Sequence, residues 1–188
     1  MQAIDTLLNR RSAKTLTEPA PDERALELLL ECGARAPDHG RLRPWRFIVI
    51  RGAARERLGE LMADQLQRKL PAATAETLQR ERQKALRAPL IVVVAAAYNA
   101  ETRIPPVEQL LAAGAAAQNM MLAATALGFG AMWKTGDAAY DDTVKTALGL
   151  AAEDAIVGFL YLGTLADSLP PPSRTPWQDR VSYWNGEG

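Results

Sequence analysis

An uninterrupted run of apolar residues at positions 90–97 constrains this chain more than any other feature of its sequence. Three consecutive valines lie near its centre, and β-branched side chains favour extended backbone. A strand that is apolar on both faces belongs inside a sheet, with other layers packed on either side. The run is also too short to cross a bilayer, which requires ~20 residues. We therefore predict a central, buried strand.

Three further segments have strand character, and helical periodicity fills most of the chain between them. Residues 155–163 form a second all-apolar strand, residues 45–50 are β-branched and aromatic, and residues 131–136 form a short strand that leads into a turn. Residues 12–21, with two prolines, are predicted as a loop. Helices are predicted at residues 3–10, 22–35, 53–69, 75–86, 107–127 and 141–148, the second of them capped by Asp22.

The composition excludes several classes of function. Lys plus Arg and Asp plus Glu both number 22, so no net field attracts nucleic acid or an anionic membrane. One cysteine and one histidine allow no intramolecular disulfide and no structural zinc site. No apolar segment of the signal-peptide kind precedes the first arginines, so we expect a cytoplasmic, reducing setting. The 188 residues fit a single domain.

The longest helical pattern, residues 107–127, is apolar on most of its sides. Residues 112–117 are all alanine or glycine, which lets another backbone approach closely. Such a helix is buried in a core or in an oligomer interface. Gly128 follows it in the position where glycine commonly ends a helix.

Two basic segments are candidates for binding. Arg10-Arg11-Ser12-Ala13-Lys14 combines two guanidinium groups, a hydroxyl and an ammonium, which suits a phosphate-bearing cofactor. Residues 35–51 hold five arginines and one acid, Asp38, in and after a loop bracketed by two prolines. Each segment also has a simpler interpretation. The cations of the first would only interact with the negative end of the preceding helix. The second would be a solvated loop followed by a strand with outward-facing arginines.

The remaining chemistry-bearing segment is Trp133-Lys134-Thr135-Gly136, at the end of a predicted strand. The preceding Gly128-Phe129-Gly130 follows a helix and precedes a strand, which is the reverse of the order in dinucleotide-binding folds. No paired carboxylates and no Ser/His/Asp set are present. We therefore predict no catalytic side chain and no metal ligand.

The regular patterns stop near residue 165. The following segment is rich in proline and favours an extended path. It nevertheless carries Trp177, Val181, Tyr183 and Trp184, more large apolar residues than disordered tails usually keep. Residues 1–164 are predicted as the domain and residues 165–188 as an arm that packs on a partner subunit.

With these segments in this order, the chain resembles the FMN-dependent nitroreductase family, in particular its small YdjA-like branch. The family's N-terminal Arg-x-Ser-x-Lys/Arg resembles residues 10–14, and its Ala-Pro-Ser-x-x-Asn-x-Gln-Pro-Trp loop resembles residues 36–45. Its Ala-rich helix ending in Leu-Gly-hydrophobic-Gly resembles residues 112–130, and its late strand resembles residues 156–163. The resemblance covers nearly the whole chain.

The resemblance implies an α+β fold in which helices wrap a mixed, mostly antiparallel sheet. It implies a domain-swapped homodimer with FMN at the subunit interface. NAD(P)H would donate electrons, and a small oxidised acceptor, nitroaromatic or quinone-like, would take them in a ping-pong cycle. A cation near the flavin stabilises its reduced form, and we assign Lys14 to that role and Lys134 to the phosphate, with the reverse left open.

The resemblance also implies which residues hold the cofactors. Arg10, Arg11 and Ser12 would hold the FMN phosphate and ribityl chain, Arg35 and His39 would line the flavin, and the end of the long helix would contact the nicotinamide cofactor. The full set is Arg10, Arg11, Ser12, Lys14, Arg35, His39, Ala123, Ala124, Thr125, Ala126, Leu127, Gly128, Trp133, Lys134 and Thr135.

The chain departs from the family pattern in its loop. Asp38, Arg41 and Arg43 stand where many relatives have Ser, Asn and Gln, so we expect a more cationic acceptor pocket. The acid that many relatives place after the Leu-Gly-x-Gly strand has no clear match. Two alternatives stay open: an FMN-binding storage or sensor protein with little turnover, and a dimeric scaffold with an empty site. Reduction of bound flavin by NAD(P)H would identify an enzyme, because neither of these two alternatives predicts it.

Overall fold

The apolar run forms the central strand that its composition predicts, in a computed structural model that describes residues 2–167, 170–172 and 175–186. Strand β3 (Leu90–Ala96) is buried along its whole length. It pairs antiparallel with β2 (Trp45–Arg51) on one side and with β5 (Ala155–Leu165) on the other. Its two faces are therefore both available for packing.

The free edge of β5 carries two shorter strands. Both β4 (Gly130–Lys134) and β1 (Leu16–Thr17) pair antiparallel with β5. All pairings between the described strands are antiparallel, and the contact between Ser12 and Ala131 is an isolated parallel bridge outside the strands. The prediction of a continuous loop at residues 12–21 is wrong at β1, because a two-residue strand is too short to show periodicity.

Helices cover both faces of the sheet, and alternate residues of β3 contact different layers. Leu90, Val92 and Val94 pack in the cluster that includes helices α2 (Glu23–Gly33) and α5 (Pro106–Ala126), whereas Ile91, Val93 and Ala95 pack in the cluster that includes α3 (Ala54–Lys69). This is the period of two that a strand buried on both faces requires. The helices are α1 (Ala3–Asn9), α2 (Glu23–Gly33), α3 (Ala54–Lys69), α4 (Ala75–Lys84), α5 (Pro106–Ala126) and α6 (Asp142–Ala147).

The predicted helix boundaries are confirmed at two informative positions. The Asp22 side chain accepts a hydrogen bond from the Ala25 N–H at 2.8 Å, which caps α2. Gly128 follows the end of α5 with a φ of +86°, a left-handed conformation that glycine adopts at low cost. Among the described residues, no helix has the length and the apolar character of a membrane span.

Strand β4 is held against β5 by a close approach that only glycine permits. A Cβ at Gly158 would overlap the Trp133 indole, whose Nε1 donates a hydrogen bond to the Val157 carbonyl at 3.1 Å. Because Trp133 is fixed in this way, Lys134 ends β4 at a defined position and the following turn begins there.

The C-terminal arm lies against the N-terminal region of its own chain. Arg11 Nη1 donates to the Pro170 carbonyl at 2.6 Å, and Pro172 and Trp177 line a space beside Leu8. Tyr183 and Trp184 are 90% and 85% exposed. Exchange of the arm between subunits therefore stays a prediction. Six residues of the predicted arm lie outside the described residues: Ser168, Leu169, Ser173, Arg174, Glu187 and Gly188.

Candidate functional site

The N-terminal basic cluster forms one cavity. Arg10 caps the C-terminus of α1, and the Ala13 N–H donates to the Ala131 carbonyl at 2.9 Å, which fixes the segment beside β4. Arg10, Arg11 and Ser12 line a cavity of about 420 Å³ together with residues 170–172 and Thr175. Lys14 is exposed on the same segment.

A buried atom of Arg10 bears on what this segment could bind. Arg10 Nη1 is buried, and no group in the described ranges accepts its hydrogen bond. Buried polar atoms are nearly always paired, and leaving a cationic donor unpaired is costly. An anion with several oxygens, such as a phosphate, would satisfy this donor. The residues present therefore fit the phosphate of FMN.

Lys134 and Thr135 line a different cavity, of about 430 Å³, that shares no residue with the first. Its walls come from α3 and α4 and from the turn after β4. Lys84 and Arg87 also line it, so three cationic side chains surround one space. Glu81 and Asp137 balance part of this charge, and they pair with Lys84 at 2.5 Å and with Lys69 at 2.7 Å respectively.

A tyrosine on β5 lines the same cavity. Burial raises the pKa of the Tyr161 phenol to about 12, with the nearby Arg87 acting to lower it and Glu81 to raise it. The phenol is therefore neutral at physiological pH and can donate a hydrogen bond. Sequence reasoning missed Lys84, Arg87 and Tyr161, although a tyrosine within an otherwise apolar strand was an available signal.

Arg35 meets the end of α5 in a third cavity. It lines a space of about 460 Å³ with Ala123 and Ala126, and with Thr6 and Leu7 of α1. Two predicted sets, the loop arginine and the nicotinamide segment, are thus brought together within one chain. Of the rest of that segment, Ala124 packs in the core, Thr125 Oγ1 donates to the Met121 carbonyl at 3.0 Å, and Leu127 and Gly128 are exposed.

His39 lies on a short 3₁₀ helix, His39–Arg41, in the loop before β2. Its Nδ1 is 2.6 Å from Glu108 Oε2 on α5, so the two groups share a hydrogen bond. Glu108 is 69 residues away in the chain, and no pattern in the sequence predicts it as the partner of His39. Within the described ranges no group of three or more His, Cys, Asp and Glu side chains could hold a metal ion.

The predicted residues thus occupy separate places on a single chain. Arg10, Arg11 and Ser12 share one cavity, Lys134 and Thr135 share another, and Arg35 meets α5 in a third. The cofactor roles given to all of these residues stay predictions.

Comparisons with known proteins agree with this fold. YdjA of Escherichia coli K12, a proposed NAD(P)H nitroreductase, is 40% identical over 189 residues, covering 98% of this chain and 100% of YdjA. A nitroreductase-like protein from Bacillus cereus has a crystal structure with a TM-score of 0.84 at 26% identity, covering 99% of this chain and 97% of that one. A proposed nitroreductase from Desulfovibrio desulfuricans, solved in complex with FMN, has a TM-score of 0.75 at 28% identity, with 100% and 99% coverage.

The family assignment follows from the extent of these matches. The sequence profile of the Nitroreductase family matches residues 7–164, which include the basic N-terminal cluster, the arginine-rich loop, strands β1 to β4 and all of β5 except Leu165. This chain therefore belongs to the nitroreductase family.

Proposed function

We propose that the protein is an FMN-dependent oxidoreductase that uses NAD(P)H to reduce a small oxidised acceptor. The observation that carries this proposal is the buried Nη1 of Arg10, which has no hydrogen-bond partner among the described residues and belongs to a side chain that lines a cavity with Arg11 and Ser12. The names of YdjA and of the FMN complex from D. desulfuricans support it. When bound, FMN would supply the redox chemistry, taking a hydride from NAD(P)H and reducing a nitroaromatic or quinone-like acceptor in a ping-pong cycle.

The side chains of this protein would bind and orient the reactants. Arg10, Arg11 and Ser12 would hold the phosphate through charge-assisted hydrogen bonds. Lys134 lines a different cavity from the one that holds Arg10, Arg11 and Ser12. Lys134 would therefore be the cation beside the flavin ring, and Lys14, on the same segment as Arg10, would lie nearer the phosphate. This is the alternative that the sequence leaves open.

A second subunit would complete the site. Large apolar side chains are exposed on α1, on α5 and on the arm, with Leu8 at 69%, Leu111 at 67% and Trp177 at 60%. An exposed apolar surface of this kind is typical of a protein interface. In a homodimer with FMN between the subunits, Arg35 and His39 would line the flavin.

Leu111→Glu is expected to split the dimer without unfolding the chain. Leu111 lies on the exposed face of α5, so the introduced carboxylate would be solvated in a single chain. In the dimer the same carboxylate would be buried without a partner, which is costly. We expect association to weaken by about 2 kcal/mol or more. Light scattering during size-exclusion chromatography would then give the mass of one chain, 20.4 kDa, in place of the mass of two. Leu70→Glu is the control, since Leu70 is an exposed leucine that follows α3 and belongs to none of these elements. An intact Leu111→Glu dimer would contradict this assignment.

A visible absorption spectrum tests the proposed activity. The purified protein should be yellow, and anaerobic NADH or NADPH should bleach it, with colour restored by a quinone or a nitroaromatic compound. Retained colour with both donors would instead identify an FMN storage or sensor protein. A colourless protein that takes up no added FMN would identify a scaffold with an empty site.

A further inference from the structure

The arginine-rich loop borders a cavity of about 650 Å³ that the proposed chemistry has not used. Its lining combines the apolar and aromatic side chains of Leu28 and Trp45 with the guanidinium groups of Arg35 and Arg43. Small-molecule sites commonly have this composition, with mostly apolar walls and a few polar groups that fix orientation. Arg35 also lines the cavity that reaches the end of α5, so the two spaces adjoin.

Arg43 is held in an unusual backbone conformation. Its φ is +50°, and that of Arg41 is +55°, in the left-handed region that side chains other than glycine, Asn and Asp rarely adopt. The Asp38 carboxylate accepts the Arg43 N–H at 2.6 Å and stabilises this turn. A solvated arginine needs no such conformation, whereas strained residues cluster at ligand sites.

The local charge favours an anion in this cavity. Arg46 Nη1 donates to the carbonyls of Arg43 and Trp45, which places a third guanidinium beside them. Glu31 is the opposing acid in the cavity lining, and the Asp38 carboxylate is engaged with backbone. The positive charge therefore exceeds the negative charge around this space.

The nearby end of α2 would normally repel an anion, but its last carbonyls are already paired. The Leu30 carbonyl accepts from the Ala34 N–H, and the Gly33 carbonyl accepts from the Ala36 N–H. The Cys32 carbonyl accepts from the Arg35 N–H and from Asn119 Nδ2. These bonds reduce the negative potential that a free helix C-terminus presents.

We propose that this cavity is the acceptor subsite and that it selects an aromatic acceptor bearing a carboxylate. Trp45 and Leu28 would contact the ring, and Arg43 and Arg35 would bind the carboxylate, which an Arg fork matches in geometry. The inference rests on the proposed oxidoreductase function, since it names the class of acceptor for that site. Arg43 is then a specificity-determining residue.

The test compares para-nitrobenzoate with para-nitrobenzamide, which share a nitroaromatic ring and differ in charge. The reaction for either is ArNO₂ + NADH + H⁺ → ArNO + NAD⁺ + H₂O, followed anaerobically as NADH consumption. In Arg43→Gln we expect kcat/KM for the benzoate to fall roughly tenfold or more, mainly through KM, with little change for the benzamide. Arg43→Lys should retain part of the preference, and Arg57→Gln, an exposed arginine on α3, should retain all of it.

Binding measured without turnover keeps the test independent of the activity. Calorimetric titration of the FMN-loaded protein with benzoate and with benzamide should show an Arg43-dependent preference for benzoate that added salt weakens. Turnover of both nitro compounds with an unchanged ratio in Arg43→Gln would overturn the inference and leave the proposed function standing. Arg43-dependent benzoate binding without any NADH oxidation would overturn the proposed function, and with it the role of this cavity as an acceptor subsite, while leaving a carboxylate-binding site at Arg43.

Discussion

An Arg10→Ala, Ser12→Ala double variant is expected to lose most of its affinity for FMN. Each side chain would contribute a phosphate contact, and a hydrogen bond to a charged group contributes about 1.5–3 kcal/mol. Loss of both weakens binding by roughly 3–6 kcal/mol, which is at least about 100-fold in Kd. Titration of the apoprotein with FMN, followed by quenching of flavin fluorescence, measures this change.

The same variant separates a lost site from a lost fold. In the apoprotein, Arg10 Nη1 is a buried donor without a described acceptor, so its removal also removes an unfavourable group. The melting temperature of the apoprotein should therefore hold or rise while FMN affinity falls. Arg57→Ala on α3 serves as a control that should change neither quantity. Unchanged FMN affinity in the double variant would contradict the phosphate assignment.

The sequence alone predicts the core of this fold because burial acts directly on composition. Residues 90–97 could only be an internal strand, and β3 is found there with every residue buried. Residues 155–163 likewise become β5, the strand that pairs with three others. Helix positions follow from periodicity and caps, since Asp22 and Gly128 mark ends that local hydrogen bonds enforce.

The arrangement of the candidate site could not be predicted in the same way. Arg10 and Lys134 are far apart in the sequence, and only the sheet register decides that they line separate cavities. Lys84 and Arg87 belong to a segment whose sequence indicates only an exposed, charged helix. They line a cavity because α4 packs against α3, which depends on tertiary contacts.

The resemblance assigns cofactor roles to the candidate residues, and the structure adds a physical reason for the role of Arg10. The sequence shows that Arg10 is cationic, but two interpretations, a phosphate ligand and a helix-end charge, fit that fact equally. Nη1 is buried without a partner among the described residues, which favours the first interpretation, because a charge that only interacts with the negative end of a helix has no need to leave solvent.

Phe159→Ala is expected to destabilise the fold strongly, because Phe159 is buried at the centre of the sheet. Phe159 is 1% exposed and pairs with Val93 of β3 and with Lys134 of β4. Removing a buried Phe side chain costs about 3–5 kcal/mol through lost burial and a residual cavity. For a chain of this length that lowers the melting temperature by roughly 6–20 °C. Thermal unfolding followed by circular dichroism, with FMN in excess throughout, measures the shift.

The control for this substitution is Tyr140→Ala, which removes an aromatic ring that is 75% exposed. Its effect should stay within about 0.5 kcal/mol, because surface changes away from special contacts rarely cost more. Since Phe159 and Lys134 are cross-strand partners, we also expect Phe159→Ala to weaken FMN binding if Lys134 lies beside the flavin. A variant that melts early yet binds FMN normally would show that the position of Lys134 does not matter to the cofactor. Both measurements together therefore test the core and the assignment of Lys134.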